Sequence, residues 1–446
     1  MKRIAIVASG SMGDVRPYGV LAAGFARAGW DAGLVANAGY EALARSVGVS
    51  WFAEALTNLD GVIAWQRRQN AQEPGIFDKS VWDAWFAGYP PLVAALRGAD
   101  VVVSRIPWIG DAARMLGIPF VMAPNLPREG LRPDLPRVPV GAPIGAMVRR
   151  RRACARLPGV VAALNVLGHL GVVPERIGLL WHERRSLPAL FGLQRRHREA
   201  LAALGNEAER ARLAKPGRPL LELVGLSEQV LPPRPSERFT GIWKGPAAGY
   251  TPPPELARLV DHPDKAVFIG YGSVPCMPDG ADFAGMSRRV AEAIRIAGIR
   301  ALIAPGWGGL GWPAEAGPLP EGVVVMDGVA HEWLFPRLGA VVHHCGVGTA
   351  MAALAAGIPS VPVPFLQDEP FWAWRLHDLG VAPEPIDPMH LTAAGLAAAI
   401  RAALDDQAMR ARAAAIGAAM AEEDGIGTTV RMVEEALGMR QVRDAA

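Results

Sequence analysis

Short apolar runs alternate with helical patterns in two separate parts of the chain. In the first part, four runs have the length and composition of buried strands. They are Arg3–Ala8, Ala32–Ala36, Val101–Ser104 and Pro119–Met122, and a helix is predicted over Val20–Ala28. Strands that are apolar on both faces and separated by helices are typical of a parallel sheet covered on both sides.

The second part repeats this pattern beyond two proline clusters, Leu231–Pro235 and Pro252–Pro254. The predicted strands are Lys265–Gly270, Arg300–Ala304, Val323–Met326, Ala340–His344 and Ser360–Pro364. We therefore predict an α/β protein with two Rossmann-like doubly wound domains, at residues 1–235 and 255–425, joined by a linker at 236–254. The C-terminal helix, 426–446, is expected to pack back on the first domain. Ligands of such sheets bind at the carboxyl ends of the strands, so the cleft between the domains is the predicted site.

Composition narrows the classes of function. The 446 residues are 51% hydrophobic and carry a net charge of only +3, which gives no indication of a nucleic-acid partner. The three cysteines form no CxxC motif, so a reducing compartment is favoured. We see no signal peptide and no apolar run of about 18 residues, and we expect a cytoplasmic protein. The basic run Arg149–Arg152 indicates an exposed face or a peripheral contact with an anionic membrane.

A glycine-rich loop follows the predicted strand Ala340–His344 and opens the alanine-rich helix Ala350–Ala356. Glycines let backbone N–H groups approach an anion, and a helix N-terminus adds partial positive charge. His344 and the hydroxyl of Thr349 are further donors at the two ends of this loop. The pattern predicts a phosphate site, and the simpler alternative is a glycine turn beside two packed histidines.

Two acidic residues, Asp368 and Glu369, follow the last predicted strand. Carboxylates at the end of a strand, opposite a phosphate loop, suit hydrogen bonding to sugar hydroxyls. The alternative is the start of a helix, where Asp368 caps and Pro370 occupies the first turn. The two roles are compatible.

These segments together resemble the donor signature of family 1 glycosyltransferases, most closely the bacterial branch that contains antibiotic-aglycone and sterol glycosyltransferases. The resembling motifs are Asp327, His331, Leu334-Phe335-Pro336, His343 to Thr349, Ala356-Gly357-Ile358-Pro359 and Asp368 to Trp372, with Gly306 to Leu310 and Tyr271 to Ser273 as further elements. The resemblance implies the GT-B arrangement, with a nucleotide sugar bound mainly by the second domain and the acceptor mainly by the first.

The resemblance also assigns donor-binding residues. The diphosphate is expected at His344, Ser273 and the backbone around Gly346, Gly348 and Thr349. The base is expected at the Val329 and Ala330 backbone, and the hexose hydroxyls at Asp368 and Glu369. Gly13, Trp307 and His331 complete the predicted donor site. This chain departs from the family at Glu369, where glutamine is usual, and after the glycine loop, where an acidic residue that contacts ribose is replaced by alanine-rich sequence.

The loop Ser9–Tyr18 follows the first strand. It lacks the full GxGxxG pattern, and the second strand ends without an acidic residue, which argues against a nicotinamide cofactor. The loop resembles the N-terminal loop of the bacterial branch. Inverting transfer needs a base to take the acceptor hydroxyl proton, and Asp14 is the only ionisable acid on the loop. Asp14 is therefore the predicted catalytic base, with helix capping as its alternative, and Arg16 would oppose this role if it pointed at Asp14.

No metal and no cofactor are predicted, because the chain has no Asp-x-Asp triplet. Helix dipole, His344 and backbone donors are expected to stabilise the leaving diphosphate instead. The co-substrate is an NDP-sugar, with UDP and TDP both open.

An apolar acceptor pocket is predicted from aromatic residues of the first domain. Trp82, Trp85 and Phe86 fall on one helical face, and Trp108 follows the next strand. These rings suit a small natural-product aglycone, and ordinary core packing is the alternative for each of them. A sterol or membrane-lipid acceptor, a sugar-nucleotide epimerase and a non-catalytic sugar-nucleotide-binding partner are the competing functions.

Overall fold

The described residues form two α/β domains, each built on a parallel sheet. The computed structural model describes residues 1–56, 63, 79–125, 192–233, 235, 237–245, 250–277, 281–365 and 368–438. Within these residues, the N-terminal sheet has six strands in the order β3-β2-β1-β4-β5-β6, and the C-terminal sheet has five in the order β11-β10-β7-β8-β9. Every described strand pairing within both sheets is parallel. This architecture confirms the predicted fold class.

The N-terminal sheet contains all four predicted strands to within one residue at each end, and two that were not predicted, β3 and β6. Its strands are β1 Arg3–Val7, β2 Asp31–Ala36, β3 Trp51–Glu54, β4 Val101–Ser104, β5 Phe120–Met122 and β6 Leu221–Glu222. The helices are α1 Met12–Arg27, α2 Glu41–Val47, α3 Lys79–Ala87, α4 Tyr89–Leu96, α5 Pro107–Leu116 and α6 Glu207–Ala214, and residues 192–202 are also helical.

The C-terminal domain contains the five predicted strands, each one to two residues shorter at one or both ends. They are β7 Val267–Gly270, β8 Ala301–Ala304, β9 Val323–Val325, β10 Ala340–His343 and β11 Ser360–Pro362. The helices are α7 Pro254–Val260, α8 Ala284–Ala297, α9 His331–Leu334, α10 Val347–Ala355, α11 Glu369–Asp378, α12 Ala393–Asp405, α13 Gln407–Ala421 and α14 Gly425–Ala436.

Helix α1 begins eight residues before the predicted start at Val20. Pro17 lies inside it and removes one backbone hydrogen bond. The first turn is nevertheless closed, because Asp14 Oδ2 accepts hydrogen bonds from the backbone N–H of Ser11 at 2.8 Å and from its hydroxyl at 3.0 Å. A loop was predicted over Ser9–Tyr18, and this prediction was wrong from Met12 onward. Asp14 lies on the first turn of a helix at the carboxyl end of β1.

The last helix, α14, packs on the N-terminal domain. A Cβ atom at Gly24 of α1 would lie 2.1 Å from Ile426 Cγ2, so the two helices are in close contact. Val430 and Val433 lie in the core of the N-terminal domain. Trp243, which falls within the predicted linker, packs edge-on against Tyr18 in the same core. The indole N–H of Trp243 donates to the hydroxyl of Thr429 at 2.9 Å, which joins the crossing segment to the last helix.

Two expectations concern membranes. Within the described residues, no helix combines the length and the apolar character needed to cross a bilayer. The basic run Arg149–Arg152 lies outside the described residues.

Candidate active site

Four loops meet at the carboxyl ends of β7, β8, β9 and β10. The carbonyl of Gly272, after β7, accepts from the N–H of Trp307 at 3.0 Å. The N–H of Gly306 donates to Asp327 Oδ2 at 2.9 Å, which ties the loop after β8 to the loop after β9. The His344 ring packs on Gly272, where a Cβ atom would lie 2.8 Å from His344 Cε1. The predicted donor residues Ser273, Trp307 and His344 therefore lie on loops that contact one another.

The turn between β10 and α10 has a strained backbone. Cys345 has a φ of 68°, which is unusual for any residue with a side chain. The buried His343 supports the turn, because its Nδ1 accepts from the Cys345 N–H at 3.1 Å. Gly346 precedes α10, and a Cβ atom there would lie 2.4 Å from His344 Nε2. The turn thus brings the imidazole of His344 against the start of α10, whose first N–H groups, including those of Gly348 and Thr349, have no partner within the helix.

The histidines of this site are uncharged at neutral pH. Burial lowers the pKa of His344 and of His331 to about 4 each, and lowers the pKa of His343 well below its usual value. His331 stacks on Phe335 with ring centroids 4.3 Å apart. His344 therefore offers an anion a hydrogen bond but no charge, and positive potential in this part of the site must come from helix ends or from arginines.

The segment predicted to meet the base lies at the domain boundary. Val329 and Ala330 precede α9, and Ala330 caps it. In the first turn of α9, Glu332 receives two hydrogen bonds from Arg16 of the N-terminal domain, at 2.6 and 2.8 Å. Burial alone would raise the pKa of Glu332, but the hydrogen bonds and charge of Arg16 outweigh it, so this pKa is lowered. Arg16 thus binds across the cleft and is not a hydrogen-bond partner of Asp14.

Asp14 is held in the cleft by a narrow fit. A Cβ atom at Gly10 would lie 2.3 Å from Asp14 Oδ2, and Gly10 has a φ of 132°, so both space and conformation require glycine. The backbone N–H of Gly10 donates to Asn37 Oδ1 at 3.0 Å. On the other side, a Cβ atom at Gly348 would lie 4.0 Å from the Cα of Gly13. The N-termini of α1 and α10 therefore face each other, and the structure brings Asp14 and Gly13 next to the predicted phosphate loop.

Arg105 is a direct hydrogen-bond partner of Asp14 and was not predicted from the sequence. Arg105 follows β4, and its Nη2 donates to Asp14 Oδ1 at 2.7 Å. Asp14 raises the pKa of Arg105 through its charge. No local motif marks this arginine, because 91 residues separate the two side chains. The one feature that could have indicated Arg105 is its position directly after β4, the strand that pairs with β1.

The two predicted sugar-binding carboxylates differ in their environment. Asp368 precedes α11, and its Oδ2 accepts from the indole N–H of Trp372 at 2.8 Å. Glu369 is only 7% exposed, and its Oε2 accepts from the backbone N–H of Phe365 at 2.7 Å. Glu369 therefore holds the loop between β11 and α11 from within the core. Asp368 occupies the N-cap position and Pro370 the first turn, as the alternative predicted, but the Asp368 side chain makes no capping hydrogen bond.

The predicted acceptor residues lie on two helices of the N-terminal domain. Trp85 and Phe86 are on α3, whereas the side chain of Trp82 lies outside the described part of the structure. Trp108, on the first turn of α5, stacks on the ring of His197 at 4.9 Å. The Phe86 and Tyr89 rings are 5.4 Å apart.

His197 connects these rings to a buried polar chain. Its Nδ1 bonds to the hydroxyl of Tyr89 at 2.6 Å, and its Nε2 bonds to Asp111 Oδ2 at 3.0 Å. Sequence reasoning missed this histidine, which is only 2% exposed. Trp108 therefore packs in an aromatic cluster with His197 and Tyr89.

This chain is similar to known glycosyltransferases in sequence and in fold. Residues 313–435 match the family described as erythromycin biosynthesis protein CIII-like, C-terminal domain. O-mycaminosyltylonolide 6-deoxyallosyltransferase of Streptomyces fradiae is 28% identical over 97% of this chain and 97% of its own length. A sterol 3-beta-glucosyltransferase of Arabidopsis thaliana is 40% identical over 42% of this chain, and the match spans only 28% of that protein. The glycosyltransferase SsfS6 of Streptomyces sp. SF2575, solved with thymidine diphosphate, superposes with a TM-score of 0.58 at 17% identity, covering 98% of this chain and all of SsfS6.

These matches define the class first: the chain is a homologue of glycosyltransferases and has the GT-B fold. Within that class, residues 313–435 are similar to the erythromycin biosynthesis protein CIII-like C-terminal domain. The predicted resemblance to the bacterial antibiotic and sterol branch is confirmed.

Proposed function

We propose that this protein transfers a hexose from a nucleoside diphosphate sugar to a hydroxyl of an apolar small-molecule acceptor, without a metal and with inversion at the anomeric carbon. The observation that carries the proposal is the meeting of two helix N-termini in the cleft. One carries Asp14, and the other begins at the loop from His344 to Thr349, with Gly13 and Gly348 in close approach. A base and an anion site so arranged suit a single displacement.

In the proposed step, Asp14 takes the proton as the acceptor O–H bond breaks. The acceptor oxygen forms a bond to the anomeric carbon while the bond from that carbon to the diphosphate oxygen breaks. The departing diphosphate takes the electron pair and is stabilised by the N–H groups at the start of α10, by the Thr349 hydroxyl and by neutral His344. Asp368 holds sugar hydroxyls, and the backbone of Val329 and Ala330 receives the base.

The relatives favour a natural-product aglycone as acceptor. The relative named for O-mycaminosyltylonolide aligns over 97% of this chain, and therefore over both domains, whereas the sterol relative aligns over 42%. Trp85 and Phe86 on α3 and Trp108 on α5 supply aromatic surface on the N-terminal domain. A sterol acceptor is the second candidate, supported by the 40% identity of that shorter match.

Calorimetric titration with UDP-glucose, TDP-glucose, UDP and TDP tests the donor site. We expect one nucleotide series to bind, and His344→Ala to weaken its binding by about 10- to 150-fold, because a hydrogen bond to a charged group contributes about 1.5–3 kcal/mol. The matched control is His390→Ala, whose imidazole is 71% exposed on the same domain and which should leave binding unchanged. A folded protein that binds none of the four compounds would contradict the proposal.

Product analysis tests the reaction itself. The donor that binds is incubated with a macrolactone aglycone, with a sterol in vesicles, and with no acceptor. Transfer to the macrolactone with an inverted anomeric centre, read by NMR coupling constants, is the expected result. Transfer to the sterol alone would select the second candidate, an epimerised nucleotide sugar would indicate an epimerase, and binding without any turnover would indicate a non-catalytic partner.

A further inference from the structure

Arg105 reaches Asp14 from a neighbouring strand. β4 pairs with β1 so that Ser104 lies opposite Val7. The Ser104 hydroxyl donates to the Val7 carbonyl at 2.8 Å and accepts from the Ile106 N–H at 3.1 Å. These bonds fix the backbone on both sides of Arg105 against the end of β1. The guanidinium is therefore presented to Asp14 by two rigid strands, which hold side chains in place better than a free loop does.

The two carboxylate oxygens of Asp14 have different partners. Oδ2 accepts from the N–H and from the hydroxyl of Ser11, at 2.8 and 3.0 Å, and these bonds close the first turn of α1. Oδ1 accepts from Arg105 Nη2 at 2.7 Å. A carboxylate oxygen has about two acceptor positions, so Oδ2 is filled while Oδ1 keeps one open. The oxygen available to take a proton from the acceptor is Oδ1.

We infer that Arg105 is a positioning residue for catalysis: it fixes the carboxylate of Asp14 so that the open position of Oδ1 faces the acceptor hydroxyl. This inference rests on the proposed function. Helix capping does not need Arg105, because both capping bonds run to Oδ2. Without Arg105, only the two bonds from Ser11 hold the Asp14 carboxylate, so a rotation about the Cβ–Cγ bond, which moves Oδ1 together with Oδ2, breaks fewer hydrogen bonds.

A double-mutant cycle with Asp14→Asn tests this inference. The readouts are the rate of sugar release from the donor, to acceptor or to water, and donor affinity by calorimetry. Asp14→Asn is expected to slow turnover by about 10²- to 10⁴-fold, the usual range for a lost general base. Arg105→Met is expected to slow it by about 10- to 100-fold, the scale of a base misplaced by about 1 Å, with donor affinity within about threefold of wild type.

The double variant separates positioning from other roles. Residues that act as one unit are non-additive, so Arg105→Met combined with Asp14→Asn should be no slower than Asp14→Asn alone. Arg105→Lys keeps the charge and one donor, and it should recover part of the rate lost in Arg105→Met. Arg45→Met, which removes an exposed arginine bonded to Glu41 on α2 of the same domain, is the matched control and should leave turnover unchanged.

Three results would overturn the inference. They are full or faster turnover in Arg105→Met, which would mean that the guanidinium does no more than oppose the role of Asp14 as a base, as considered for Arg16; additive losses in the double variant; or a large fall in donor affinity, which would mean that Arg105 binds the donor directly. Failure of the proposed function gives a different result: the unsubstituted protein would release no sugar from any donor, and the role of Arg105 would fall with it. Thermal melting of each variant excludes loss of the fold as the cause.

Discussion

The resemblance to family 1 glycosyltransferases led us to expect glutamine where this chain has Glu369, and the surroundings of Glu369 accommodate either residue. The carboxylate lies in the core and accepts from the Phe365 N–H at 2.7 Å. An amide oxygen can accept the same hydrogen bond. The departure from the family pattern therefore preserves the loop between β11 and α11, and Asp368 is the better placed of the two acids for contact with a sugar.

We predict that Glu369→Gln and Glu369→Leu differ in stability. Glutamine should change the free energy of unfolding by less than about 1 kcal/mol, whereas leucine leaves the N–H of Phe365 buried without a partner and should cost about 1–3 kcal/mol. Urea denaturation measures both values. Equal stability of the two variants would show that the hydrogen bond to Phe365 does not hold the loop.

Some residues of the candidate site could be predicted from the sequence and others could not. Asp14 was found because the loop after β1 carries a single acid. His344 was found because glycines and a helix start follow it. Arg105 and His197 were missed, since their partners lie 91 and 86 or more residues away and are brought near only by strand and helix packing. Pairing across such separations is a property of the fold and leaves no local pattern.

At the scale of elements, buried strands were predicted well and half-buried ones were not. β1, β4 and β10 are apolar on both faces, which gives a continuous signal. β3, Trp51–Glu54, is only partly buried along its length, so its residues show no such run. The start of α1 was missed because Gly13 and Pro17 are poor helix formers, and the bonds between Ser11 and Asp14 that support it became visible only in three dimensions.

The contact between α1 and α14 gives a prediction at this scale. Gly24→Ala places a methyl group 2.1 Å from Ile426 Cγ2, and overpacking of this kind should lower the free energy of unfolding by about 1–3 kcal/mol. Ile426→Ala removes the atom that clashes. The double variant should therefore be less destabilised than the sum of the two single variants, as measured by denaturant unfolding. Simple additivity would mean that the helices do not pack as closely as described.

The two domains of the whole molecule are joined beside the cleft by an ion pair. Arg16 and Glu332 make two hydrogen bonds, and their side chains are 32% and 18% exposed. Glu332 directly follows His331 and lies close to the predicted base-binding backbone. The ion pair therefore joins the N-terminal domain to the segment that is expected to receive the nucleotide.

A charge exchange tests this link. Arg16→Glu alone places two acids together and should open the cleft, seen as a larger radius of gyration by X-ray scattering and as weaker donor binding. Arg16→Glu with Glu332→Arg restores opposite charges and should recover part of both properties. A double variant as open as the single one would show that the pair does not hold the domains.

The same pair predicts a dependence on pH. The pKa of Glu332 is lower in the folded protein than its ordinary value of 4.5. Its contribution to stability is therefore present above that value and is lost as the pH falls through the lower folded pKa. The radius of gyration of the unsubstituted protein should increase over that acidic range, whereas Glu332→Gln, which has no carboxylate at this position, should show no such increase from this pair.

The packing of α14 on α1 also has a consequence for biosynthesis. The N-terminal sheet is translated first, yet Val430 and Val433, which cover part of its core, are translated after the whole second domain. The core of the first domain cannot be completed on the ribosome until residues up to Val433 have emerged. During translation, the apolar face of α1 around Gly24 remains exposed to solvent until α14 is made. We therefore expect the nascent chain to be prone to aggregation at this surface.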